Sequence, residues 1–198
     1  MEFRLLGPVE LWSRGTQLGL PSTKLKQLLA ALLWDAGQMV PTVTLVRRMW
    51  DEEAPPRELS SLHANVSRLR AVLRQCDDPS VRLEHIPLGY RLLVPAESID
   101  SFQFRRDYAL ARAAADRGRI DEAIRLLRSA ETLVHGEPLA GLPGSWAASK
   151  RGELGELTRD VTLLRIELQL TVHPEEGRDL VAELRRLAAE REFDESVL

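Results

Sequence analysis

Ser60-Ser61-Leu62-His63-Ala64-Asn65-Val66-Ser67-Arg68-Leu69-Arg70-Ala71-Val72-Leu73-Arg74 is the stretch whose periodicity decides the fold. With Leu62 at zero and about 100° per residue, Val66 falls at about 40°, Leu69 at about 340° and Leu73 at about 20°, a narrow stripe for burial. Ser60, Ser67, Arg74, His63 and Ala64 fall opposite, between about 100° and 200°, with Arg70 and Arg68 on the flanks. The spacing predicts a helix from about Arg57 to Gln75 whose outward face is basic, short-chained and rich in hydrogen-bonding groups. Such a face suits the major groove of a DNA duplex, which admits one helix and presents donors and acceptors on base edges. A charged helix surface is more commonly just solvated, so the neighbouring elements must decide.

Upstream, Pro41 begins a second helix with Leu45, Val46, Met49 and Trp50 on one face, so Trp50 reads as core. It stops at an acidic, proline-broken segment, Asp51-Glu52-Glu53-Ala54-Pro55-Pro56. Before it, Pro21-Ser22 opens a first helix. Leu25, Leu28, Leu29, Leu32 and Leu33 have helical spacing, Ser22 is a suitable N-cap and Gly37 a stop. Lys24 and Lys26 in its first turn oppose the helix dipole, a penalty that an external phosphate would reverse. The first twenty residues read as short strands of a small antiparallel sheet, with Phe3, Leu5, Val9 and Leu11 around a Gly7-Pro8 turn. Downstream, Asp77-Asp78-Pro79 breaks the third helix. Val81 to Val94 then reads as a hairpin turning at Pro87-Leu88-Gly89. Pro95 closes it, and the domain boundary is placed there, giving domains of residues 1–95 and 96–198.

After Pro95 the pattern is helical throughout. Helices are expected from Asp100 to about Asp116, from Ile120 through Ala130, from Trp146 to about Leu170 and from Glu175 to Glu190. Gly118, His135-Gly136-Glu137-Pro138 and Gly141-Leu142-Pro143-Gly144 break them, and short turns between helices suggest a helical-repeat stack.

Composition narrows the functional classes. The 198 residues are 44% hydrophobic and 29% charged, which excludes a disordered tail. The longest apolar run, Leu28 to Trp34, is far short of the ~20 residues of a membrane span. The N-terminus lacks a charged leader followed by an apolar core, so no secretion signal is expected and a cytoplasmic location is. Net charge is −3, but residues 1–95 carry a balance of +2 and residues 96–198 one of −5, suggesting modules with different partners. All basic residues except Lys24, Lys26 and Lys150 are arginine, a type suited to phosphate and guanine. A single cysteine, Cys76, excludes an internal disulfide framework and a cysteine-pair zinc site. His63, His85, His135 and His173 lack metal-ligand spacing, and residues 136–144 lack phosphate-loop spacing. No catalytic constellation emerges, so neither enzyme activity, metal nor cofactor is expected.

Three helices preceded by a small sheet and followed by a hairpin resemble a winged helix-turn-helix of the OmpR type, the effector domain of two-component regulators. Val66-Ser67-Arg68-Leu69-Arg70 looks like its recognition helix and Gly89-Tyr90-Arg91-Leu92 like its wing. The opening Phe3-Arg4-Leu5-Leu6-Gly7-Pro8-Val9-Glu10 and Trp50-Asp51-Glu52 followed by Pro55-Pro56 narrow the match. In the second half, residues Arg117 to Leu127 resemble a tetratricopeptide turn, and Gly136-Glu137-Pro138-Leu139-Ala140 is similar to the break of a bacterial transcriptional activation domain. Together these resemble the Streptomyces antibiotic regulatory protein family, whose members usually continue with more helices. Asn65, Ala64 and Pro41 depart from its usual residues.

The resemblance implies an α+β fold: an N-terminal winged helix-turn-helix with small antiparallel sheets, then an all-α, tetratricopeptide-like activation domain. It implies a transcriptional activator that binds promoter direct repeats as a head-to-tail pair, recruits RNA polymerase and regulates antibiotic biosynthesis. His63, Ser67 and Arg70 are then expected to face bases, and Ser60, Ser61, Arg68 and Arg74 phosphates. Lys24 and Lys26 at the first helix and His85 and Arg91 on the wing are further DNA candidates, although Arg91 could equally solvate a strand edge. In the family, the loop between the second and third helices contacts polymerase, notably the sigma factor, which points to Asp51, Glu52 and Glu53. DNA would repel such an acidic loop, so a protein partner suits it better. Two competing readings remain: a helical-repeat scaffold that binds protein, and a repressor without polymerase contact.

Overall fold

The computed structural model describes residues 1–51, 55–174, 180, 182 and 185. The expected helix from Glu175 to Glu190 otherwise lies outside the described residues. Strands β1 (Glu2–Arg4), β2 (Glu10–Ser13) and β3 (Thr16–Leu18) form an antiparallel sheet in that order. Helix α1 (Thr23–Trp34) follows, capped by the Ser22 hydroxyl, which accepts from the Leu25 N–H at 3.2 Å. Helices α2 (Thr42–Trp50) and α3 (Glu58–Arg74) complete the helical trio.

The hairpin is β5 (Arg82–Ile86) and β6 (Gly89–Leu93), paired so that Glu84 faces Arg91 and His85 faces Tyr90. Pro41, expected to begin the second helix, instead ends a strand, β4 (Met39–Pro41), which pairs antiparallel with β6. The sheet order is β4-β6-β5. Strand β4 approaches β6 so closely that a Cβ on Gly89 would lie 2.2 Å from the Val40 carbonyl oxygen. A glycine is therefore required there by space.

The chain then runs through a 3-10 turn (Ala96–Ser98) to α4 (Asp100–Asp116), α5 (Ile120–Glu131) and α6 (Ser145–Val172). It divides into two compact units: residues 1–103 with 134–154, and residues 104–133 with 155–198. The segment 134–154, which follows Pro95 in the chain, thus belongs by compactness with the first unit.

In the first unit Leu25, Leu28, Leu29, Leu32 and Leu33 of α1 are fully buried, along with Leu45 and Met49 of α2 and Leu62 and Leu69 of α3. Burying each such side chain stabilises by roughly 1.5–3 kcal/mol relative to exposure. Segment 134–154 adds Leu139, Leu142, Ala147 and Leu154 to this core. Its backbone follows the turn between β1 and β2: His135 N–H donates to the Leu6 carbonyl at 2.7 Å, Leu139 to Leu5 at 3.0 Å and Ala140 to Gly7 at 3.3 Å. From the other side, the buried Asp100 carboxylate accepts from the N–H groups of Leu5, Leu6 and Ser101. The second unit buries Phe104, Ala111, Ala123, Ile124, Leu127 and Val161. Its buried Arg165 pairs with Glu131 at 2.8 Å. No helix among the described residues is long and apolar enough to cross a membrane.

Candidate nucleic-acid interface

Helix α3 divides as its periodicity dictates. Leu62, Val66, Leu69, Val72 and Leu73 are buried, while Ser60, His63, Ala64, Ser67, Arg68, Ala71 and Arg74 are exposed. Six of those seven exposed residues lie on the face opposite Leu62, and Arg68 extends it on one flank. Small side chains at 60, 64, 67 and 71 leave the backbone approachable, and the cations stand at the margins. Ser61 is half-buried. Asn65, a departure from the family pattern, is turned inward and donates from Nδ2 to the Ser61 carbonyl at 2.8 Å. It therefore presents no amide to the exposed face.

Arg70 is half-buried, and its Nε donates to the Leu83 carbonyl of β5 at 3.0 Å. It leaves the helix toward the wing. Tyr90 of β6 is buried as well, which pushes its hydroxyl pKa up, and the positive charge of Arg70 partly opposes this. Among the described residues, Arg68 and Arg74 have no ion-pair partner.

On the wing, His85 is exposed and its ring lies 5.0 Å from that of Tyr90. Arg91 is engaged by its cross-strand neighbour: Nη2 and Nε donate to Glu84 Oε2 at 2.8 and 3.1 Å. The hairpin tip carries Leu88, 83% exposed at φ 71°, whose carbonyl accepts from the Thr42 N–H at the start of α2. The wing is thus tied to α2 at its tip and to α3 by Arg70.

The two lysines of α1 are placed apart from this face. The Lys24 ammonium donates to the Met49 carbonyl near the end of α2 and sits 5.4 Å from the Trp50 ring. It is directed at a helix C-terminus, where a cation is favoured. Trp50, expected in the core, is half-buried beneath it. Lys26 borders a recess with Glu10, Gln17 and Leu18 of the N-terminal sheet.

Asp51, the first residue of the acidic segment, has a partner that no local reading supplies. Its carboxylate accepts from the Ser145 N–H at 2.9 Å and from the Ser145 hydroxyl at 2.6 Å, so it caps the start of α6. These bonds hold its pKa below the ordinary carboxylate value. The signal in the sequence was the Gly144-Ser145 pair ahead of a long helix, but its acceptor lies 94 residues earlier. Glu52 and Glu53 lie outside the described residues. Among the described residues, no three His, Cys, Asp or Glu side chains cluster in a way that could hold a metal.

Residues 15–92 match the family described as transcriptional regulatory protein, C terminal, and residues 99–198 match the bacterial transcriptional activator domain. The regulatory protein AfsR of Streptomyces coelicolor is 35% identical over 185 residues, covering 92% of this chain and 18% of AfsR. The transcriptional regulatory protein MoaR1 of Mycobacterium tuberculosis is 37% identical over 134 residues, 66% of this chain and 42% of MoaR1. The structure of Mycobacterium tuberculosis EmbR, solved with a low-affinity phosphopeptide, superposes with a TM-score of 0.89 at 28% identity, covering 96% of this chain and 50% of that one. The chain therefore spans half or less of the length of each of these relatives.

Proposed function

The chain belongs to the Streptomyces antibiotic regulatory protein family, a family of transcriptional regulators and not of enzymes, and from that premise we propose that it is a sequence-specific DNA-binding activator. The observation that carries the reading is the exposed face of α3. Its buried stripe is fully used by the core, and its opposite side combines small residues with Arg68 and Arg74 beside a wing. In this reading residues 1–95 bind DNA and residues 96–198 form the activation domain. His63, Ser67 and Arg70 face base edges, while Ser60, Ser61, Arg68 and Arg74 meet phosphates. His85 and Arg91 serve the wing, and Lys24 and Lys26 add positive charge in the first turn of α1.

The protein binds direct repeats upstream of a promoter as a head-to-tail pair and recruits RNA polymerase. Asp51, Glu52 and Glu53 form the contact with its sigma factor. Antibiotic biosynthesis genes are the expected targets, and the cytoplasm the expected location. Footprinting of the full chain on the intergenic regions beside its own gene tests the DNA arm, with affinity followed from 50 to 200 mM salt. Two protected repeats and an affinity loss of about a thousandfold across that range are expected for a protein meeting six or more phosphates. Binding that is insensitive to salt would instead favour the protein-binding scaffold. Charge reversal of Glu52 and Glu53 tests the polymerase arm by in vitro transcription. Activation should be lost with promoter affinity intact, and unchanged output would leave the repressor reading.

A further inference from the structure

We propose that Leu88, at the tip of the wing, is a specificity-determining residue: an apolar wedge that enters the minor groove of the promoter and favours base steps that open easily. The inference rests on the DNA-binding reading above, and it adds an apolar contact that neither the arginines of α3 nor the charged residues of the wing supply.

Pro87 and Leu88 are the two central residues of the turn closed by the Ile86–Gly89 pair, and Leu88 has φ of 71°. Proline first and a left-handed residue second is the pattern of a type II turn, which takes glycine or asparagine at that second place. A leucine there is strained. Among the described residues one other leucine, Leu139, has a positive φ, of 53°. Leu139 is completely buried, so core contacts offset its strain, whereas Leu88 is 83% exposed and no such burial offsets it. Val43, which follows Thr42, is also exposed, but it sits in a regular helix, where a single apolar side chain at the surface needs no explanation. The fold alone therefore does not account for leucine at position 88.

The tip is held in place. The Leu88 carbonyl accepts from the Thr42 N–H at 2.9 Å, Gly89 behind it is pressed against Val40 of β4, and Arg70 ties β5 to α3. The leucine is thus carried on a fixed mount joined to both α2 and α3. A duplex suits it as an occupant. From His85 to Arg91 the hairpin holds no carboxylate, and the preceding Glu84 is paired with Arg91 at 2.8 Å, so no free negative charge on the hairpin repels phosphates there. Apolar side chains of minor-groove proteins part base steps, and the energy of unstacking differs from step to step. Such a contact carries sequence preference without a hydrogen bond.

The test uses the full chain as wild type, Leu88→Gly, Leu88→Asn and Leu88→Met. The probes are the footprinted promoter fragment, a fragment carrying one repeat, and versions in which the A·T pairs whose protection is lost in Leu88→Gly are replaced by G·C or by inosine·C. Leu88→Gly and Leu88→Asn should weaken binding to both fragments roughly tenfold, as for forgoing the burial of one leucine side chain. Their salt slopes should match the wild type, since no cation is removed. Their melting temperatures should not fall, because both residues accept a left-handed backbone. Leu88→Met should stay within about twofold of the wild type. The G·C replacement should weaken wild-type binding, whereas inosine·C, which presents the minor groove of A·T, should not, and Leu88→Gly should distinguish neither. Unchanged affinity in Leu88→Gly overturns the proposal. So does a melting temperature that falls with affinity, as a folding role for the side chain would give. A loss confined to the two-repeat fragment overturns it too, by placing Leu88 between neighbouring copies of the chain. In each of these cases, wild-type binding that still weakens steeply with salt and on Arg74→Ala preserves the DNA-binding reading. Binding that responds to neither ends that reading and the proposal together.

Discussion

Arg70 Nε and the Leu83 carbonyl oxygen are 3.0 Å apart, so the guanidinium that leaves the middle of α3 also fastens the wing to it. One side chain thus links α3 to β5, beside the tie of the hairpin tip to α2.

Arg70→Ala should therefore differ in kind from Arg74→Ala. The first should lower both promoter affinity and stability, the latter by roughly 0.5–1.5 kcal/mol for the lost hydrogen bond. The second should lower affinity on every sequence and reduce the salt slope by about one, with the melting temperature unchanged. Anisotropy titrations at several salt concentrations beside thermal melts separate the two. A melting temperature unaffected by Arg70→Ala would show that the Leu83 contact contributes nothing.

The Glu84–Arg91 pair leads to a different expectation for the wing. Arg91 is already neutralised by Glu84 at 2.8 Å, so Arg91→Ala should weaken DNA binding less than Arg74→Ala does. Glu84→Gln removes the competing carboxylate. It should tighten binding several-fold, with a steeper dependence on salt, because an additional cation becomes available to phosphate. Equal losses for Arg91→Ala and Arg74→Ala would show that the pair opens on DNA.

Asp100 supplies a pH dependence. Burial pushes its carboxyl pKa up to about 6, against the lowering effect of the Leu6, Leu5 and Ser101 N–H groups. The folded protein thus holds this proton more tightly than the unfolded chain, whose value is near 3.8. The stability from this group is complete below the unfolded value and is lost as pH rises through about 6, a swing of roughly 3 kcal/mol. Asp100→Asn removes the titration while leaving a side-chain amide beside backbone N–H donors. The wild-type advantage over this variant should shrink between about pH 4 and pH 7 in denaturant melts. A constant difference would mean that Asp100 titrates normally.

Gly89→Ala tests the sheet. A methyl 2.2 Å from the Val40 carbonyl oxygen cannot be accommodated without moving β4 from β6. The variant should lose roughly 1–3 kcal/mol, as overpacked sites do, with the melting temperature falling by several degrees. An unchanged melting temperature would show that β4 yields freely.

The legible parts of the fold were those with period. The α1 leucines, the α3 stripe and the alternating hairpin each repeat often enough to declare which side is buried. Strand β4 was hidden because three residues ending in Pro41 carry no period and follow a glycine break. The exposed face of α3 was legible, but its edges were not. Arg70 and Arg91 looked like their fellow arginines, and only the register of the hairpin distinguishes them. Counting back from the Leu88 turn puts Glu84 opposite Arg91, a pairing the sequence contained. Asp51 and Ser145 had no such route, since their contact depends on where 94 intervening residues carry the chain.

The return of residues 134–154 to the first unit bears on how such regulators can be taken apart. A chain severed after Pro95 would keep every residue of α3 and the hairpin yet forfeit Leu139, Leu142 and Ala147 from the core of the first unit. Chimaeras spliced at that proline would set a foreign turn against Asp51 and a foreign aromatic against Trp34. Exchange of modules between such proteins is therefore constrained by the fit of this one returning segment, wherever the linker happens to fall.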